Sequence, residues 1–374
     1  MALVLNWQNT SEQRAIIRQA AETLARGGTV VFPTEAVYTI AASVLHPAAV
    51  ELVGQVTNRP LTLAVRGRAE ALDWAPTMSA LGRRLARRCW PGPVTLLFDG
   101  AEAGVASRLT ESTRQRLCPQ DKVRLRVPAH EALHWVQSAL EGPLALSSAH
   151  QEGSAPAVTA AQAAENLNGA VDLILDDGPT RYGQTTTIVQ INGESWSVVR
   201  AGAVSEAELL RQTSFLAVFV CTGNTCRSPM AEALCKKLLA ERFGCAPAEL
   251  EERGFRVLSA GLAAMMGGAA AAEAVEAVQE LGADLAGHSS RALSRDLATQ
   301  ADCIVAMTRS HLLALAYQFP DSLERCRLLR ADGADIGDPL GSDREVYRRC
   351  AADIAEQLVP LVSEWTQKQT PSTV

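Results

Sequence analysis

The sequence predicts an α/β protein of two domains, and three observations carry that prediction. The chain has 374 residues, 47% of them hydrophobic and 20% charged, which is long for one core and sufficient for two. Apolar strand-like runs alternate with helical patterns along its whole length. After a short polar helical segment at Ser205–Thr213, the buried run Phe215–Val220 opens a fresh strand of parallel-sheet character. The boundary is therefore placed between 213 and 214. Residues 1–213 are predicted to form a twisted mixed sheet with helices, and residues 214–374 a small doubly wound parallel sheet.

In the first domain a helix is expected to be capped near Thr10 or Ser11 and to stop at Gly27-Gly28. Strand-like runs follow at Thr29–Phe32, Leu61–Val65, Val94–Phe98, Val123–Val127, Pro143–Ser147, Val171–Leu175 and Thr186–Ile191. Helical patterns at Leu81–Cys89, Ala132–Leu140 and Ala160–Leu167 fall between them. In the second domain strands are expected near 215–220, 255–259, 302–306 and 326–329. Helices are expected near 229–243, 269–281, 290–297, 308–317 and 343–367, with the alanine-rich stretch Ala269–Ala277 read as ordinary helix.

Composition narrows the class of function. Thirty-five basic against 41 acidic side chains give a net charge of −6, which argues against a general attraction to nucleic acid or anionic membrane. No apolar run approaches the roughly 18 residues needed to span a bilayer, and the N-terminal segment lacks the basic flank of a secretory signal. Nine cysteines, odd in number and without a Cys-x-x-Cys pair, fit neither a disulfide framework nor a zinc site. The expectation is a cytoplasmic protein that binds no metal of its own.

The most informative segment is Val220-Cys221-Thr222-Gly223-Asn224-Thr225-Cys226-Arg227-Ser228-Pro229. A buried strand ends at Cys221, five residues follow, and a helix begins near Pro229. A short loop curled at a helix N-terminus turns its backbone N–H groups inward and holds phosphate oxygens there. The same positive field stabilises a thiolate, so Cys221 is the expected nucleophile. Arg227 can clamp two phosphate oxygens in a fork, Gly223 is expected to permit the tight turn, and Ser228 can donate to the sulfur. Phosphoryl transfer to sulfur also needs a proton donor for the leaving group. Asp338-Pro339 supplies one, with Pro339 keeping Asp338 extended. Cys226, next to Arg227, is expected to be dispensable for chemistry and able to form a protective disulfide with Cys221 on oxidation.

Together with Ser259-Ala-Gly261, His288-Ser-Ser-Arg291 and Ala306-Met307-Thr308, these residues resemble the low-molecular-weight protein-tyrosine phosphatases over about Leu216–Thr366. The resemblance is closest to the bacterial protein-arginine phosphatases, which have threonine where Thr225 stands and lack the aromatic that often follows Asp-Pro, here Leu340. It implies a cofactor-free phosphatase acting on a phosphorylated protein, with the loop Thr222–Ser228 selecting the substrate. Arsenate reductases share the loop but add two relay cysteines about seven residues apart. Cys303 falls at a suitable distance, and its partner position is Ser310.

The first domain carries Thr34-Glu35-Ala36-Val37-Tyr38, Arg59-Pro60, Trp90-Pro91-Gly92-Pro93, Val123–Pro128, Ser147-Ser148-Ala149-His150 and Arg200-Ala201-Gly202. In order and spacing these resemble the YrdC-like family, the threonylcarbamoyl-AMP synthases of transfer-RNA modification. The resemblance implies ATP with Mg2+, threonine and bicarbonate as substrates, and tRNA or tRNA-modification proteins as partners. It points to Thr34, Tyr38, Arg59, Ser148, His150 and Arg200 as nucleotide- and threonine-binding residues. The family's Lys-x-Arg reads Thr57-Asn58-Arg59, its Ser-x-Asn reads Ser148-Ala149-His150, and its Tyr-Gly reads Tyr38-Thr39. Two readings follow: an active synthase, or a nucleotide- or RNA-binding module without catalysis. Arg83, Arg84, Arg87 and Arg88 read as a solvated helix face, with an RNA-facing patch as the alternative. Trp74 and Trp90 read as packing residues. His150 is either a satisfied histidine or a replacement ligand.

Overall fold

A computed structural model describes residues 2–8 and 11–368, in two compact units, Met1–Gln212 and Thr213–Val374. The first unit has ten strands: β1 (Leu3–Asn6), β2 (Thr29–Phe32), β3 (Thr39–Ser43), β4 (Thr62–Ala64), β5 (Val94–Asp99), β6 (Lys122–Arg126), β7 (Leu144–Ser148), β8 (Leu173–Asp176), β9 (Thr187–Asn192) and β10 (Ser195–Arg200). They form one mixed sheet in the order β1-β8-β2-β3-β7-β4-β6-β5-β9-β10. The second unit has β11 (Phe215–Cys221), β12 (Phe255–Gly261), β13 (Cys303–Ala306) and β14 (Cys326–Leu328), all parallel, in the order β12-β11-β13-β14. No helix among the described residues is long and apolar enough to cross a membrane.

Strand β2 shows why the first sheet reads as a continuous apolar run. Its four residues are all buried, Val31 in one core cluster and Val30 with Phe32 in another on the opposite face. The second cluster holds Ile16, Ala20 and Leu24 of the helix Gln13–Ala25 and Leu133 and Val136 of the helix Glu131–Ser138. It runs across the sheet as far as Ala64 on β4. The same face also carries Thr39, Ser148, Thr62, Arg124 and Thr95, and there the first unit opens its cavity.

Three strands absent from the sequence reading are β1, β3 and β10. β1 lies at an edge with three of its four residues exposed, so it has no alternating pattern to detect. β3 reads Thr-Ile-Ala-Ala-Ser, of modest strand propensity, and is strand because β2 and β7 pair with it on both sides. β10 pairs with β9 through the two-residue loop Gly193-Glu194, Gly193 at φ 61°; this Asn-Gly signal was legible. The helices Pro47–Thr57, Arg68–Trp74 and Glu111–Leu117 were also unanticipated. Of the two expected caps for the first helix, Thr10 lies outside the described residues, and Ser11 precedes an N-cap at Glu12 that makes no side-chain cap bond.

Two helices of the second unit start later than expected. Residues 269–271 are not helical, and the helix runs Ala272–Glu280, because Ala271 N donates to Thr225 O at 3.0 Å instead. The helix expected near 290–297 is Arg295–Gln300, capped by Ser294. The preceding residues form an extended strap, with Arg291 N donating to Asn224 Oδ1 and Leu293 N to Gly261 O. Of the four arginines expected on a solvated helix face, Arg83 is exposed and Arg87 and Arg88 are half-buried. Arg84 is buried, Arg83 Nε donates to Met78 O, and Arg88 donates to Gln212 O at 2.6 Å. Trp74 and Trp90 are core residues.

Candidate functional site

In the second unit β11 ends at Cys221 and the helix Arg227–Phe243 starts after five intervening residues, so the loop between them closes over the helix N-terminus. Cys221 Sγ lies 2.9 Å from Ser228 Oγ and accepts a hydrogen bond from Asn224 N at 3.3 Å. The tight turn falls on Asn224, at φ 56°, rather than on Gly223. Asparagine tolerates that left-handed backbone better than most residues. Here it is also tied on every side: Nδ2 donates to Ser228 Oγ and Ser259 Oγ, Oδ1 accepts from Arg291 N, and its carbonyl is 2.8 Å from His288 Nε2. Ser259 Oγ in turn donates to Glu232 Oε2 at 2.6 Å. The Ser-Ala-Gly and His-Ser-Ser-Arg segments thus brace the loop. Gly261 is needed for close approach, since a Cβ there would meet Thr222 O at 2.5 Å.

Sequence reasoning missed His311. Its imidazole bridges Thr222 Oγ1 at 2.9 Å and Thr308 Oγ1 at 2.8 Å. Burial, and then the charge of Arg227, push its pKa below the usual histidine value, so it is a neutral bridge at pH 7. The Ala-Met-Thr segment pointed to this place, because Thr308 caps the helix Arg309–Gln318 that carries His311.

Arg227 is buried, and its guanidinium meets Asp338 Oδ2 at 2.5 Å. The Asp338 side chain is half exposed, and its other oxygen accepts from Leu340 N. Clamp and carboxylate therefore stand side by side at one mouth. Thr225 is half-buried, Cys226 is buried with Sγ 3.4 Å from Tyr347 Oη, and Leu340 is 68% exposed. Burial pushes the Cys303 thiol up to about 12, leaving it protonated and unsuited to a disulfide relay.

In the first unit a cavity of about 340 Å³ opens on the polar half of the sheet face. Successive strands supply its lining: Thr39 from β3, Ser148 from β7, Thr62 from β4, Arg124 and Arg126 from β6, Thr95 from β5, Ile188 from β9 and Arg200 from β10. Arg59 enters from the segment after the helix Pro47–Thr57, which Asn58 terminates in the left-handed region. Of the sequence-derived residues, the structure brings Arg59, Ser148 and Arg200 together here. His150 is buried beside them. Its Nδ1 has no hydrogen-bond partner, and burial with the charges of Arg59 and Arg200 pushes its pKa down to about 4. It is therefore neutral, and the satisfied-histidine reading does not hold.

Thr34 and Tyr38 lie elsewhere. Thr34 Oγ1 donates to Val37 O within its own turn and lines a separate cavity with Glu35, His130 and Arg181. Tyr38 Oη donates to Gly178 O at 2.7 Å and accepts from Asp177 N, so the hydroxyl is spent on holding the fold. The lysine position of the Lys-x-Arg pattern, Thr57, is fully buried with its hydroxyl donated to Val53 O. Arg124 and Arg126 were not singled out from sequence. The alternation Lys-Val-Arg-Leu-Arg was the available signal, since Val123 and Leu125 point to the core and the arginines to the other face.

The family model described as low molecular weight phosphotyrosine protein phosphatase matches residues 217–370. The Sua5/YciO/YrdC model, described as telomere recombination, matches residues 22–202. A protein-arginine-phosphatase of Bacillus subtilis (strain 168) is 36% identical over 151 residues, 39% of this chain and 94% of that protein. A putative threonylcarbamoyl-AMP synthase of Mycobacterium tuberculosis (strain CDC 1551 / Oshkosh) is 31% identical over 200 residues, 52% of this chain and 88% of that protein. A threonylcarbamoyl-AMP synthase of Pyrococcus abyssi (strain GE5 / Orsay) is 29% identical over 213 residues, 56% of this chain. The chain spans 60% of the length of that relative.

Proposed function

Because the chain belongs to the low molecular weight phosphotyrosine protein phosphatase family over its second half and to the Sua5/YciO/YrdC family over its first, we propose that it is a bifunctional enzyme. The second half hydrolyses a phosphorylated protein side chain through a cysteinyl-phosphate, and phosphoarginine is preferred over phosphotyrosine. The first half condenses threonine, bicarbonate and ATP to threonylcarbamoyl-AMP and pyrophosphate. For the phosphatase, the observation that carries the reading is Cys221 Sγ held between Ser228 Oγ and Asn224 N, with Arg227 and Asp338 paired at the mouth.

The chemistry follows from those positions. The Cys221 thiolate attacks phosphorus, forming an S–P bond as the P–N or P–O bond breaks. Protonated Asp338 delivers its proton to the leaving nitrogen or oxygen. Water then attacks the cysteinyl-phosphate, giving its proton to the Asp338 carboxylate, and phosphate leaves with the thiolate restored. Loop amides and Arg227 hold the equatorial oxygens through both steps. Ser228 steadies the sulfur as an anion.

Substrate choice is assigned to Thr225. A phosphoarginine brings a planar guanidinium, which a small hydroxyl side chain can pair with and a β-branched aliphatic would exclude. Thr225→Ile is expected to lose phosphoarginine activity while sparing phosphotyrosine, a change on the order of 10²-fold in relative specificity. Specificity constants on paired peptides test this, and a wild type that prefers phosphotyrosine overturns the arginine assignment while leaving the phosphatase.

For the first half, the supporting observation is the cavity that gathers Arg59, Arg200 and Ser148 with several hydroxyls, equipment suited to a triphosphate and a carboxylate. Glu152 is the single carboxylate among its lining residues, so a magnesium ion fits as a passenger on ATP rather than as a resident of the protein. The full chain given ATP, bicarbonate and labelled threonine is expected to release pyrophosphate only when threonine is present. ATP binding without threonine-dependent pyrophosphate release would favour the non-catalytic binding module instead.

A further inference from the structure

We propose that Arg124 is an anion-binding residue of the first unit's cavity, taking polyphosphate oxygens of a nucleoside triphosphate in place of the lysine charge that Thr57 lacks. The proposal rests on the nucleotide-binding reading of that cavity. Strand period puts Arg124 on the cavity face, one side chain from Arg126, while Val123 and Leu125 anchor β6 in the core. Its Nη1 is buried and meets no hydrogen-bond partner, as is also true of Arg59 Nε and Arg200 Nε in the same cavity. Buried donors left unmet in three guanidinium groups that share one cavity mark the place of an acceptor-rich ligand.

The charges agree with that reading. Arg126 is neutralised by Glu35 at 2.7 Å, an ion pair buried on both sides. Arg59, Arg124 and Arg200 make no ion pair among the described residues, and Glu152, the cavity's carboxylate, accepts instead from Asn58 Nδ2. Arg200 holds its proton less tightly than usual, through burial and then the nearby charges of Arg59, Arg124 and Arg126. Burial acts on Arg124 in the same direction. Without a bound anion, these cations repel one another. Arg124 adds to that repulsion at Arg200, and its Nη1 gains no hydrogen bond in return.

That difference gives the test. In the full chain, Arg124→Met is expected to weaken binding of both ATP and inorganic tripolyphosphate by about 10- to 100-fold, the loss of one charge-assisted contact. Adenosine binding is expected to be unchanged. Without ligand the same variant is expected to melt at a higher temperature than wild type, because one repelling cation is gone. Arg124→Lys should keep most of the tripolyphosphate affinity, since the charge remains. Calorimetry with each probe and a thermal scan supply the readouts, and Arg124→Gln carries the same comparison if the methionine variant does not fold. Wild type that binds ATP and tripolyphosphate, with Arg124→Met binding them equally well, overturns the inference and leaves the nucleotide reading intact. Wild type that binds neither overturns both.

Discussion

Cys221→Ser is expected to abolish phosphatase turnover, with a loss of at least about 10³-fold in kcat, because a serine hydroxyl is not ionised at neutral pH and is a poor nucleophile here. The geometry makes this a clean experiment. Serine occupies nearly the same volume, and Ser228 Oγ and Asn224 N, at 2.9 and 3.3 Å from the sulfur, can bond a hydroxyl as they do the thiol. The variant should therefore fold, melt near the wild-type temperature and still bind phosphate. Steady-state hydrolysis of an aryl phosphate measures the loss. Retention of most activity would move the nucleophile elsewhere, and three of the other thiols are poorly suited to serve: burial pushes Cys89, Cys118 and Cys350 up to about 12.

The second large effect concerns Asp338. Asp338→Asn is expected to slow hydrolysis by roughly 10²–10⁴ when the leaving group is poor, the usual worth of a general acid. An aryl ester that leaves readily without a proton should lose far less. The contact with Arg227 adds a second consequence. Asparagine removes the negative partner from a buried guanidinium, so phosphate affinity is expected to hold or rise even as turnover falls. Measuring kcat on both substrate types, with phosphate inhibition constants, separates the roles. Equal losses on the two substrates would assign Asp338 to structure alone.

The loop from Cys221 to Ser228 was legible because everything that defines it lies within one short segment: a strand, five residues, an arginine and a helix start. Its brace was only half legible. Ser259, His288 and Arg291 sat in recognisable motifs, yet nothing in their spacing says that all three converge on Asn224. The assignment of the tight turn to Gly223 failed for the same reason. Glycine is the default for a left-handed backbone, but side-chain bonds from distant segments hold Asn224 there instead. In the first half the apolar strand runs are legible, whereas the exposed edge strand β1 carries no apolar pattern and the buried β3 reads Thr-Ile-Ala-Ala-Ser, of modest strand propensity.

Amino-acid order alone accounts for the local units: the alternating strands and helices, the loop Cys221–Ser228 proposed to hold phosphate, and the Asp338-Pro339 segment on which the proposed proton donor sits. These depend on backbone periodicity and on neighbours a few positions away. Which distant side chains share a space depends on the tertiary fold. It joined Arg59 and Arg200 to Arg124 and Arg126, withdrew Tyr38 into the fold, and bridged Thr222 to Thr308 through His311. The physical reason is strand order. The ten-stranded sheet sets β6 beside β4 and β5, and brings β10 in through β9, so partners far apart in sequence meet on one face. Local propensity fixes which way each side chain points along its strand, but only the order of strands fixes what it faces.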